Sequence, residues 1–154
     1  MCSSDLAGLN CFDTEGKVIW QYPLEDSPHS IDDCYAMTLN RDEVWICFYS
    51  DFPIVQVDGN HQIKYWKNKV AGARCIAIDR ELAMLYGGYQ PDLERLGGQR
   101  LQDDGSCDVV LDGTLAFPKH KDFLKFTGRA NALHAITDDC WYQFASSDFP
   151  DGVV

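Results

Sequence analysis

His29 stands in Ser27-Pro28-His29-Ser30-Ile31-Asp32-Asp33, a polar run that holds an imidazole beside two carboxylates. Such a pair can relay protons or hold a divalent ion, so this is the strongest point for chemistry in the chain. Three further segments each combine an aromatic ring, a proline and a carboxylate: Asp51-Phe52-Pro53, Tyr89-Gln90-Pro91-Asp92 and Asp148-Phe149-Pro150. That mixture suits gripping a partner, because aromatic anchors carry much of the binding energy at interfaces. It equally suits a structural device, in which the Asp caps its own turn and the ring packs inward; recurrence in three places favours this second use. Asp33 and Arg74 each stand just before an apolar run, and they are expected either to pair with each other or to face a polar mouth. No glycine-rich phosphate loop, nucleophile elbow or metal-ligand spacing accompanies them, so no catalytic residue, metal or cofactor is assigned.

The elements that must position these residues are short strands. Ser50-Asp51-Phe52-Pro53 recurs 97 residues later as Ser147-Asp148-Phe149-Pro150, and each copy follows a pair of apolar runs. The first pair is 34–39 and 43–49, the last 133–137 and 140–145, and a looser copy occupies 75–79 and 82–86. Aligning Ala36, Ala77 and Ala135 places an insertion in the second unit, within 113–128, where Phe117-Pro118 breaks any strand. A second repeat interleaves with the first: Asp13-Thr14-Glu15-Gly16-Lys17 and Asp58-Gly59-Asn60-His61-Gln62 are tight turns, each followed by a tryptophan, Trp20 and Trp66. The runs are β-branched, aromatic and interrupted every few residues, so helix is minor. Units of about 40–50 residues, each of two hairpins, are the signature of propeller blades. The expected fold class is all-β, a partial β-propeller of about three four-stranded antiparallel blades, with a β-sandwich as the alternative. The expected partition is an incomplete blade over 7–24, a blade over 34–70, a blade with an insertion over 73–128 and an incomplete blade over 131–154.

Asp13-Thr14-Glu15-Gly16-Lys17-Val18-Ile19-Trp20 resembles the D-x-x-G-K-x-x-W hairpin of quinoprotein-type and WD-repeat-like propellers, and 58–66 resembles it in part. The Gly-His and Trp-Asp dipeptides of true WD repeats are absent, and no cofactor ligands carry over. The resemblance implies a fold and not an activity, since propellers host enzymes, scaffolds and ligand binders alike. In that topology the second-to-third and fourth-to-first connections share one face. This loop face is expected to hold the ligand- or partner-binding residues His29, Asp33, Asp51, Phe52, Arg74, Tyr89, Asp92, Asp148 and Phe149.

The chain has 154 residues, 13 basic and 24 acidic, and a formal net charge of −11. That balance argues against a nucleic-acid or anionic-membrane partner. Four of its seven cysteines, Cys11, Cys34, Cys47 and Cys75, lie in apolar runs and are expected as buried thiols of a reducing, cytoplasmic compartment. Residues 2–6, Cys-Ser-Ser-Asp-Leu, can be back-translated into the end of a common short-read sequencing adapter. Residues 1–6 are therefore expected to be an adapter-derived tail on a metagenomic gene fragment. An open arc of blades would leave apolar faces bare and self-associate. The expected function is a non-catalytic ligand- or protein-binding propeller scaffold; the alternative is a propeller enzyme acting on a small molecule at the channel mouth with a divalent ion.

Overall fold

The computed structural model describes residues 8–23, 30–115 and 123–148. It is all-β, with one 3-10 turn, Ser146–Asp148, as the single helical element among the described residues. Among the described residues thirteen strands form four antiparallel sheets. Sheet I is β1 (Asn10–Phe12) and β2 (Val18–Gln21). Sheet II is the meander β3 (Cys34–Asn40), β4 (Glu43–Phe48), β5 (Ile54–Val57) and β6 (Ile63–Trp66). Sheet III repeats that meander with β7 (Cys75–Asp79), β8 (Leu82–Tyr86), β9 (Arg95–Leu101) and β10 (Cys107–Thr114). Sheet IV is β11 (Phe123–Arg129), β12 (Ala132–Thr137) and β13 (Trp141–Ala145).

The sheets stack in chain order, and the period of two along each strand divides its residues between two neighbours. Along β4, Ile46 and Phe48 pack with Tyr22 toward sheet I, while Trp45 and Cys47 pack with Ile76, Ile78 and Leu85 of sheet III. Along β7 and β8, Cys75, Ala77, Met84 and Tyr86 face the other way, onto Leu133, Phe126 and Phe144 of sheet IV. Central sheets buried on both faces read as continuous apolar runs, which is why 44–49 shows no alternation. A sandwich has one core between two layers. Here three cores separate four sheets, the arrangement of a partial β-propeller.

The connections follow one scheme. Each first and second strand is joined by a two-residue turn whose leading residue is left-handed: Arg41 (φ 59°), Arg80 (φ 54°) and Ala130 (φ 50°). The Ala130 carbonyl accepts from Ile78 N at 2.8 Å and its N–H donates to Leu39 O at 3.2 Å, so this turn knits three sheets together. Gly128 lies flat on β7, where a Cβ would come 1.6 Å from the Ile76 carbonyl oxygen.

This scheme corrects the expected strands of sheet IV. β12, not a first strand at all, is the second strand of its sheet, and β11 precedes it inside the segment expected to be an insertion. The turn Arg129-Ala130-Asn131-Ala132 lacks the aspartate or glutamate found in the other two, so the sequence hides it. The strand-breaking Phe117-Pro118 lies outside the described residues, as do residues 1–7.

All six described cysteines are free. Cys47, Cys75 and Cys107 are buried, whereas Cys34 is exposed and Cys11 half-buried, because both lie on strands with a bare side. Burial pushes the Cys75 and Cys107 thiols up to about 11. Among the described residues no helix is long and apolar enough to cross a membrane.

Candidate functional site: the loop face

The end of the arc that carries the first-to-second turns also carries the third-to-fourth turns, and these are built alike. In 13–17, the Asp13 carboxylate accepts from Glu15 N (2.9 Å) and Lys17 N (2.8 Å), and Gly16 N donates to Asp13 O. In 58–62, Asp58 accepts from Asn60 N and Gln62 N at the same distances, and His61 takes the left-handed position of Gly16. The turn at 102–106 keeps the backbone bonds and the left-handed Gly105, with Asp104 capping Ser106 N instead. The preceding sheet's tryptophan docks on the next turn. Trp20 stacks on His61 with centroids 5.0 Å apart, and Trp66 Nε1 donates to Gln102 O at 2.8 Å.

The opposite end, the loop face, is irregular. Four aromatic side chains from two adjacent sheets meet there. Tyr35 comes from the start of β3, Tyr49 and Phe52 from the β4–β5 connection, and Tyr89 from the β8–β9 connection. Phe52 lies 5.4 Å from Tyr35, 5.6 Å from Tyr49 and 5.5 Å from Tyr89, always edge to face. Tyr35 and Tyr89 close the triangle at 6.0 Å, and the Tyr89 hydroxyl donates to the Tyr35 hydroxyl at 2.7 Å. That bond, which favours the protonated phenol, pushes the Tyr89 hydroxyl up to about 12. Tyr49 and Tyr89 remain about half exposed, at 49% and 46%.

Three local devices hold the rings in place. The pairing of β3 with β4 slips between Cys34 and Ala36, and such a bulge re-aims the residue inside it, here Tyr35. Ser50 (φ 87°), Asp51 (φ 60°) and Phe52 (φ 50°) are three successive left-handed residues without a glycine among them. Each costs on the order of 1–3 kcal/mol, a strain that persists only where the surrounding structure enforces it. Gly72 (φ 72°) leaves room for the Tyr89 ring, which would lie 2.9 Å from a Cβ at that position.

The other residues expected here scatter. Asp33 stands at the platform: its carbonyl accepts from Tyr49 N at 2.8 Å, and its negative charge reaches the Tyr89 hydroxyl. Asp32 accepts a long hydrogen bond from the Ser50 hydroxyl at 3.4 Å. Asp51 lines a separate groove of about 540 Å³ with Pro53, Tyr65, Lys67 and Lys69. Arg74 lays its stem over Gly87, and no ion pair joins it to Asp33. Asp92 is engaged within its own loop, 3.6 Å from Arg95, which Asp112 grips in bidentate fashion at 2.8 and 3.0 Å. Asp148 is at the other end of the arc. It caps Ala145 N at 2.8 Å, beside the contact of Ser146 with Asp79 at the β7–β8 turn. The second Ser-Asp-Phe-Pro therefore follows a third strand while the first follows a second strand, and the two are not equivalent in the fold. His29 and Phe149 lie outside the described residues.

Tyr35 and Tyr49 escaped the sequence reading because both belong to strand-like runs. Counting outward from the Asn40–Glu43 pair would have brought them to one end of the hairpin.

A partial β-propeller with, among the described residues, one unrepeated aromatic cluster on its loop face is thus the class of protein defined by the fold. The chain belongs to the YxzG family, whose pattern matches residues 9–90 and so includes Tyr35, Tyr49, Phe52 and Tyr89. Among solved structures it is similar to virginiamycin B lyase from Staphylococcus aureus, at 21% identity and a TM-score of 0.47, over 94% of this chain and 49% of that one. The chain therefore spans about half the length of that protein. No curated protein matches it.

Proposed function

We propose that this chain is a non-catalytic binding scaffold that holds a partner protein on its loop face. The observation that carries this reading is the gathering of Tyr35, Tyr49, Phe52 and Tyr89 from two sheets by a strained, glycine-free segment. A strained loop that only closed a chain would take glycine at such φ values. The rings touch edge to face and fill the space among themselves. A ligand must therefore lie across them, which suits a protein surface better than a small molecule needing enclosure on most sides.

The test is chemical-shift mapping of the protein against a panel of hexapeptides differing in charge and apolarity. The reading expects at least one peptide to move the ring resonances of Tyr35, Tyr49, Phe52 and Tyr89 while residues of the 13–17, 58–62 and 102–106 turns stay unmoved. Shifts confined to the turns, or none in the rings with any peptide, would overturn it.

A further inference from the structure

Resting on that reading, we infer that the loop-face platform takes a cationic side chain, an arginine or lysine presented by a partner protein. Tyr49 and Tyr89 are half exposed, and the electron-rich face of an aromatic ring attracts a cation. Carboxylates stand beside them. Asp33 adjoins Tyr49, whose N–H donates to the Asp33 carbonyl at 2.8 Å, and Asp32 reaches the strained segment through Ser50. The stem of Arg74 is laid over Gly87. Lys67 and Lys69 belong to the separate groove with Asp51. Asp32 and Asp33 thus flank the rings in a chain of net charge −11. Long-range attraction brings a basic partner in, and the rings with Asp32 and Asp33 give its cation a defined seat.

The probes are hexa-arginine, hexaglutamate and a neutral glycine-serine hexapeptide, titrated against the whole chain with ring resonances as the readout. Hexa-arginine is expected to bind at the rings and the other two not. The pair D32N/D33N is expected to weaken hexa-arginine binding about five- to tenfold, the range of two exposed ion pairs. The pair D103N/D108N, which carries the same net charge, is expected to change it less than about twofold. Tyr89→Leu, which keeps an apolar side chain but removes the π face, is expected to cost about threefold. Equal losses from the two Asp→Asn pairs would overturn the inference, since binding would then answer to bulk charge. Ring shifts with the neutral or acidic peptide but not with hexa-arginine would overturn the cation while leaving the loop face as a binding surface. No ring shift with any peptide would remove both.

Discussion

The two ends of the arc are built by different rules. At the turn end, three sheets present turns of the same length, with the same left-handed positions and the same backbone hydrogen bonds. At the loop end, the β4–β5 and β8–β9 connections differ in length and sequence, and their rings meet once. A feature repeated from sheet to sheet serves the stacking that every sheet needs. A feature that occurs once among the described residues, at a cost in backbone strain, is the one from which the binding role is proposed. The apparent second Ser-Asp-Phe-Pro had obscured this difference. Its Asp148 caps a 3-10 turn at the turn end, which leaves the loop-face cluster without a duplicate among the described residues.

Substitutions can break or sharpen the contrast. The largest effect is expected inside the stack. Gly128→Ala would push a methyl into the Ile76 backbone and should cost about 3 kcal/mol or more in urea denaturation. At the turn end, Asp58→Ala removes the acceptor for Asn60 N and Gln62 N, and should cost about 1–2 kcal/mol with no effect on peptide binding. The flanks offer a third comparison. Met37 and Leu39 are exposed at 54% and 60% on one side of the arc, and Trp141 at 69% on the other. These faces should self-associate, and Leu39→Lys with Trp141→Lys should shift sedimentation toward monomer without altering ring resonances.

The smallest effect concerns proton binding at the loop end. Tyr89 ionises at about 12 in the folded chain, against an ordinary value of 10.0. The unfolded chain therefore gives up this proton first, and the stability tied to it is complete below pH 10 and lost as pH rises toward 12. Ultraviolet titration should show Tyr89 late together with Tyr86, whose hydroxyl is also pushed up to about 12 by burial, and Tyr35→Phe, which leaves no hydroxyl to receive the Tyr89 proton, should bring Tyr89 alone back toward the ordinary range.

The sheets were legible in the sequence because blades buried on both faces write continuous apolar runs. The Asp13 and Asp58 turns were legible because an aspartate cap leaves a local mark; the left-handed position was marked by Gly16 in the first, whereas in the second it falls on His61 and not on Gly59. The equivalent turn at 102–106 was not, since Gln102 stands at the capping position and Asp104 takes over the task. Ala130 was illegible for a similar reason: its left-handed backbone is enforced by hydrogen bonds to Leu39 and Ile78, which are distant in sequence. The loop-face cluster was half legible. Phe52 and Tyr89 stand in loops rich in proline and carboxylate, whereas the direction of Tyr35 depends on a strand slip that no local pattern marks.

Phe52→Gly is the most direct test of whether the loop-face cluster exists for binding or for packing. Glycine accepts the left-handed backbone at 52, so the change removes the ring and its strain together. Denaturation and hexa-arginine titration would be measured on the same sample. The account predicts stability within about 1 kcal/mol of the parent, because relieved strain offsets lost ring contacts, and binding at least about tenfold weaker. A loss of about 3 kcal/mol or more, as for a core phenylalanine, with binding by the folded fraction intact, would contradict it.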